Sequence, residues 1–600
     1  MSIFQEAISE KVWDTKYRYR SEDKVVDQTI EETWARIAKD VAKAEQTKNA
    51  ERWQKEFYDA LTDFRFLPGG RIMAGAGTKN TVTLFNCFVM PILEDSLSGI
   101  FDSLKEAALT LQQGGGVGYD FSSLRPRGFS VMHTGSTASG PVSFMRIWNS
   151  MCATMESTGT RSGAMMGILR CDHPDIEEFI TAKSEPNELR HFNVSVLVTD
   201  TFMQAVRDNR EWELIFPAEE TDVTDTVMRH WSNSAEPVPC RIVRRVNARD
   251  LWKNIIKSAY EYAEPGVLFE DTINRQNNLW YREWISATNP CGEIPLPIYG
   301  ACNLGAINLT QFVRNPYSEK AAIDWDGIQK TVIVATRFLD NVIAISRYPL
   351  KMQRSEAFAT RRIGLGITGL ADMFVMLGIQ YGNEASLKLA SQIMKFIMEA
   401  TWQASIDLAK ERGVFPAFHA QKYLQGNFVK LLPDEMRKDI EQHGIRNSHH
   451  NTIAPTGTVS LLANNVSNGL EPVYGSDYER HVRNAQGETA TFTTTNYALR
   501  VWRKLGHGEK LPPAWVDAEH VSPLQHLYVQ AAVQPYIDNA ISKTIHLPEN
   551  FPFEQLNEVY EQAYNLGLKG CTIFRPNAIR SSILSQIKLT ESVDQCFQSA

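Results

Sequence analysis

Apolar side chains recur at intervals of three and four over "DQTIEETWARIAKDVAKAE" (27–45), behind Thr29, and this spacing predicts a helix with a threonine cap. "DSLSGIFDSLKEAALTLQQ" (95–113) predicts a second helix that runs directly into the glycines of "GGGVGYDF" (114–121). Helical patterns return near 250–263, 328–346, 384–412 and 554–566, whereas "HFNVSVLVTD" (191–200) alternates like a strand before a turn. The most apolar stretch, "TVIVATRFLDNVIAI" (331–345), contains Arg337 and Asp340 and reads as a buried helix rather than a membrane span. Helices and strands alternate along the chain with no Pro/Ser-rich linker, charge run or internal repeat. A single large α/β domain with helical flanks is therefore expected.

Composition narrows the function classes. With 43% apolar and 22% charged residues, 600 residues can build a substantial core. A formal charge of −8 argues against non-specific nucleic-acid binding, so any bound phosphate must be held by local groups. The N-terminus is charged from Glu6 onward without an apolar signal region, and a cytoplasmic protein is expected. Cysteines stand at 87, 152, 171, 240, 291, 302, 571 and 596, with no C-x-x-C. In a reducing compartment they are thiols, mostly packing residues, and the adjacent His449 and His450 make a poor zinc site, so no metal is expected.

Three stretches carry candidate chemistry. In "NPCGE" (289–293), Asn289, Cys291 and Glu293 are spaced i, i+2, i+4, which on an extended segment puts all three on one face. Pro290 and Gly292 disfavour a helix there. Such a face could grip a polyhydroxylated substrate around a thiol, but local chemistry alone favours a buried turn with a packing cysteine. In "APTGTVSLLANN" (454–465), Thr456, Gly457, Thr458 and Ser460 open an apolar, helix-compatible segment that suits a phosphate, although it also reads as a turn and cap. In "QQGGGVGYDFSSLRPRG" (112–128) the glycines allow a flat ligand close to the backbone, but they follow a helix, which weakens any dinucleotide-fold assignment.

Together, "TLFNCFVMP" (83–91), "GGGVGYDFSSLRPRG", "HTGSTASGPVSFM", "SGAMMGILRCDHPDIEEFI", "NPCGE", "GACNLGAINL" and "APTGTVSLL" follow the order and rough spacing of the large subunit of ribonucleotide reductases. The chain most resembles the adenosylcobalamin-dependent branch of that family, over about residues 5 to 580. The resemblance implies a ten-stranded α/β barrel of two five-stranded halves, with a central finger loop carrying a radical cysteine. It implies a helical region over 1–60, the barrel over 61–580 and a polar tail over 581–600, without an ATP-cone. Cys291 matches the radical cysteine, Glu293 the base for the ribose 3′-hydroxyl and Asn289 a hydrogen-bonding partner of the ribose hydroxyls. Cys87 and Cys302 match the redox pair, which a thioredoxin- or glutaredoxin-type partner reopens. Pro455, Thr456, Gly457, Thr458, Val459 and Ser460 match the phosphate cradle, and Asn86 and Gly116 border the substrate. Gly70 stands where many relatives have a hydroxyl residue.

The resemblance further implies a homodimer and a dNTP or ATP effector at Asp95, Ser96, Leu97 and Arg125. "RGFSVMHTGS" (127–136) and "STGTRSGAMMG" (157–167, with Thr160, Arg161 and Ser162) correspond to the two specificity loops. Ser139, Gly140 and Pro141 resemble a segment near the corrin. The radical source follows from what the chain carries. Where a relative with a separate radical subunit has two adjacent tyrosines, this one reads "GCTIFRPN" (570–577), and its last thirty residues contain no glycine for a glycyl radical. Adenosylcobalamin remains as the implied cofactor. A large subunit served by a radical-bearing partner, and a nucleotide-binding relative without turnover, are the alternatives. The tail has Cys596 but no C-x-x-C to relay electrons.

Overall fold

The computed structural model describes residues 3–576, except 22–23, 132–134, 156–162, 186–187, 219–224, 233, 235 and 484–488, together with 584–586. Its N-terminal part is helical. Ile30–Val41 starts at Thr29, whose hydroxyl accepts from Glu32 N, and it buries Ile30, Trp34, Ile37, Ala38 and Val41. Thr47–Leu61 packs beside it, and both join a core shared with Trp325–Ile345. That last helix is buried along most of its length, and its two charges are paired. Arg337 engages Glu45 and Glu411, and Asp340 engages Arg361, Arg446 and Arg412. Among the described residues no helix is long and apolar enough to cross a membrane.

The centre is a ten-stranded sheet of β1 (Phe66–Pro68), β2 (Cys87–Val89), β3 (Gly116–Asp120), β4 (Met165–Arg170), β5 (Phe192–Val198), β6 (Gly266–Phe269), β7 (Ala301–Asn308), β8 (Ile363–Thr368), β9 (Thr544–His546) and β10 (Gly570–Phe574). Strands β2 to β6 lie side by side and parallel, forming one five-stranded half. β7 is parallel to β8, and β9 to β10. This second set meets the first antiparallel at both ends, β7 on β2 and β6 on β10. β1 adds antiparallel to β7. Between β8 and β9 the regular ladder is open, and no closed barrel of regular strands forms among the described residues. Single parallel bridges, Leu365 to Asn451 and Ile453 to Ile541, join the two edges there.

Parallel strands are covered on both faces, so they lack the half-exposed alternation of a surface sheet. The sequence "HFNVSVLVTD" alternates, yet β5 is buried at every position except Asn193. Helices cover the outside, and an apolar inner cluster that includes Val89, Met166, Ile168, Ile294, Leu296 and Leu304 fills the interior. Two glycines admit backbone into that interior. A Cβ on Gly118 would lie 1.8 Å from Thr288 O, and one on Gly366 would lie 2.1 Å from Thr452 O.

Candidate active site

The backbone that Gly118 admits is a finger. Ala287–Thr288 and Pro295–Leu296 pair antiparallel, so residues 289–294 form the tip of a short hairpin inside the sheet. Of the two readings of this stretch, the tip is a turn and not an extended segment. Gly292 N donates to Asn289 O at 3.1 Å, and Gly292 has φ +82°, where a side chain would be strained. The turn separates the three polar side chains by environment. Asn289 and Glu293 are buried, whereas Cys291 at the apex is partly exposed.

Asn289 is fixed by its own loop, because its Oδ1 accepts Ile294 N at 2.9 Å. Its Nδ2 donates to Cys87 Sγ at 3.1 Å, and that sulfur lies 3.8 Å from Glu293 Oε1. Cys87 is the direct cross-strand partner of Cys302. Opposed residues of an antiparallel pair have Cα atoms about 4.5–5.5 Å apart, within the span of a disulfide. Both are thiols here. Burial pushes the Cys302 thiol well above its ordinary value, and the Glu293 carboxylate adds to the effect. Its thiol form is therefore favoured over the thiolate. Burial likewise raises Cys152, Cys171, Cys240 and Cys571, which pack in the cores outside the sheet.

A cavity of about 520 Å³ opens over this centre. Asn86, Cys87, Gly116, Asn289, Cys291 and Glu293 line one side, and Gly70 with Pro455, Thr456, Gly457, Thr458 and Val459 line another. Asn86 Oδ1 is buried there without a hydrogen-bond partner. The expected helix after Thr456 is short, Gly457–Leu462, and Thr456 takes the left-handed conformation at its start. The Thr456 hydroxyl lies 3.0 Å from that of Thr368 and accepts Gly469 N at 3.1 Å. Ser460 is turned away from the cavity, since its hydroxyl donates to Gly457 O at 3.2 Å and to Asn468.

Asp95 and Arg125 are brought together elsewhere, 2.6 Å apart, at the start of the helix Leu97–Gln112. Ser96 caps that helix by accepting Gly99 N at 3.1 Å. Leu97 is 67% exposed. The helix has 16 residues, about 24 Å of rise, and Leu111 near its far end lines the cavity. Ser139, Gly140 and Pro141 are not at the cavity. They begin the helix Pro141–Thr154, and only its other end, at Cys152, reaches Gly163 on the cavity wall. Thr160, Arg161, Ser162 and Cys596 lie outside the described residues. Among the described residues no cluster of His, Cys, Asp or Glu is arranged to hold a metal ion.

Sequence reasoning missed three cations on the cavity wall, Lys16, Arg71 and Arg480, and the carboxylate of Asp538 beneath the finger. None sits in a motif. The one available signal was alternation along "DYERHVR", which places Tyr478 and Arg480 on one face.

Comparison with known proteins agrees with this architecture. The ribonucleotide reductase all-alpha domain matches residues 3–81, and the ribonucleotide reductase barrel domain matches residues 85–574. A vitamin B12-dependent ribonucleoside-diphosphate reductase of Mycobacterium tuberculosis (strain CDC 1551 / Oshkosh) is 38% identical over 571 residues, covering 92% of this chain and 76% of the relative. One from Thermoplasma acidophilum is 35% identical over 598 residues, covering 96% and 71%. A ribonucleoside-diphosphate reductase subunit alpha of Chlamydia muridarum is 27% identical over 596 residues, covering 89% and 55%. A family match over most of the chain, joined to a sheet that sets two cysteines opposite each other beneath a third, makes this chain a member of the ribonucleotide reductase family.

Proposed function

We propose that the chain reduces ribonucleoside diphosphates to 2′-deoxynucleotides by thiyl-radical chemistry, with adenosylcobalamin as cofactor. One observation carries the reading: Cys291 stands at the apex of a finger while Cys87, paired in register with Cys302, lies within contact of Asn289 and Glu293 at its base. Removal of the ribose 3′-hydrogen makes loss of the 2′-hydroxyl feasible. Cys291 takes that hydrogen and later returns it. Glu293 accepts the 3′-hydroxyl proton, and Asn289 holds the ribose hydroxyls. Cys87 and Cys302 give up two hydrogens and close to a disulfide, so one ribonucleotide and two thiols yield one deoxynucleotide, one disulfide and one water. Thr456, Gly457 and Thr458 seat the phosphates.

The cofactor side of the cavity fits the glycine-rich wall. Gly114, Gly115, Gly163 and Ala164 line the same cavity as Cys291, so bare backbone forms much of that wall. These residues, rather than Ser139, Gly140 and Pro141, would hold the cofactor. Bound there, adenosylcobalamin supplies the radical equivalent that Cys291 needs. Anaerobic incubation with adenosylcobalamin, a ribonucleoside diphosphate and a dithiol is expected to form deoxynucleotide. Product that appears only after a radical-bearing second subunit is added would overturn the cofactor reading. Without dithiol, one deoxynucleotide per chain is expected, after which peptide mapping should find Cys87 joined to Cys302. Repeated turnover with both thiols intact would sink their role.

The same reading extends to control. Leu97, Phe101 and Leu109, spaced four and eight apart on one helix, are 67%, 50% and 41% exposed, which supports a self-association face in a homodimer. The Asp95–Arg125 pair at its end supports the dNTP or ATP effector site. The helix between that pair and the cavity offers a physical link between two ligands. A thioredoxin- or glutaredoxin-type reductant and a cytoplasmic setting suit a chain whose described cysteines are all thiols.

A further inference from the structure

The cavity wall carries Lys16, Arg71 and Arg480 against the carboxylate of Glu293. Lys16 and Arg71 already interact with other protein groups. Arg480 is set apart by how it is held. It lies on the strand Asp477–Arg483, two residues beyond Tyr478, so the two side chains project from one face. Tyr478 is buried and donates its hydroxyl to Asn465 Oδ1 at 2.9 Å. Asn465 in turn donates Nδ2 to Thr495 O at 2.9 Å, on the paired strand Thr489–Thr495. Both strands of the hairpin are thus tied to the segment that follows Gly457–Leu462. Arg480 thereby shares the cavity with Thr456, Gly457 and Thr458.

Burial disfavours the Arg480 charge, and the interactions that offset this come from Tyr478, not from a carboxylate. A guanidinium keeps its proton in a protein, so the charge persists and an anion in the cavity would compensate it. The Thr456–Gly457–Thr458 turn supplies N–H and hydroxyl groups but no charge of its own. A guanidinium beside it adds the two-pronged, charge-assisted contact that phosphate oxygens favour.

We propose that Arg480 reads the substrate's phosphates: it closes over the terminal phosphate of a nucleoside diphosphate seated on Thr456, Gly457 and Thr458 and sets the preference for the phosphorylated substrate. The inference rests on the reading of the cavity as a ribonucleotide site. It assigns to one side chain of the hairpin the charge that the phosphate-cradle motif lacks.

The test is equilibrium binding to the full chain without cofactor, using a ribonucleoside diphosphate and the matching nucleoside as probes. Arg480→Met is expected to weaken diphosphate binding about 10- to 100-fold, the range for one charge-assisted contact, and to flatten its salt dependence. Nucleoside binding should stay unchanged, and Arg480→Lys should recover part of the loss. Equal diphosphate affinity in Arg480→Met and the parent chain would overturn the role of Arg480 and leave the reductase reading standing. Parallel loss of nucleoside and diphosphate binding would also overturn it, as the mark of a merely structural residue. Failure of the parent chain itself to bind the diphosphate would overturn the reductase reading and this inference with it.

Discussion

Cys291→Ser is expected to lower deoxynucleotide formation by at least about 10⁴-fold, the scale of losing an indispensable reacting group, while nucleotide affinity and fold persist. Serine nearly matches cysteine in volume. The turn that presents residue 291 is set by backbone bonds of Asn289, Gly292 and Ile294, and by the positive φ of Gly292. What changes is the bond to hydrogen. An O–H bond is much stronger than an S–H bond, so a hydroxyl at the apex cannot give up its hydrogen to become the abstracting radical. Two measurements on one sample separate chemistry from structure: product formed per chain, and the midpoint of chemical denaturation. An unchanged midpoint with no product supports hydrogen abstraction by Cys291, and turnover by the serine variant would refute it. Cys302→Ser is the informative contrast. It leaves Cys291 and the finger in place and removes only one of the two hydrogens that the proposed reduction would consume.

What could be read from the sequence divides along the range of the interactions. Helices were legible, because caps and periodicity are local: Thr29 and Ser96 each accept the N–H three residues on, and Ile30–Val41 and Leu97–Gln112 follow. Apart from β5, which the alternation of "HFNVSVLVTD" announced, the strands were not. β2 is three residues long and buried throughout, so neither length nor alternation marks it. The facing of Cys87 and Cys302 depends on strand register across a junction of two half-sheets, and only the resemblance to a known family pointed to it. The finger was legible as unusual chemistry, but its turn places Asn289 and Glu293 beneath the apex instead of beside it. Ser460 was expected in the phosphate cradle, and only the fold shows that its hydroxyl is engaged by Asn468. Arg480 was invisible for the opposite reason. A single cation on a strand matters only when the fold turns its face toward a cavity.

Asp538→Ala is expected to cost about 3–5 kcal/mol of stability, the range for stripping the partner from buried polar groups. The Asp538 side chain is fully buried and accepts Asn451 N at 2.7 Å, His450 N at 2.9 Å and Asn278 Nδ2 at 3.1 Å. It also faces His450 Nδ1 at 3.2 Å, and burial keeps that imidazole neutral. Alanine leaves these donors in a dry interior with neither protein nor bulk water to accept them. The damage should not stay local, because residues 449–453 are the segment that spans the open edge between β8 and β9. Thr452 Oγ1 and Ala540 N both donate to Glu293 O at 2.9 Å, so the same segment and its neighbour hold the base of the finger. Loss of Asp538 should therefore lower the denaturation midpoint and turnover together, the reverse of the split expected for Cys291→Ser. Asp538→Asn should fall between the two, since it keeps one acceptor oxygen and turns an N–H₂ toward groups that are themselves donors. An unfolding free energy for Asp538→Ala within about 0.5 kcal/mol of that of the parent chain, the usual range for a surface change, would mean that other contacts hold the sheet edge and the finger in place.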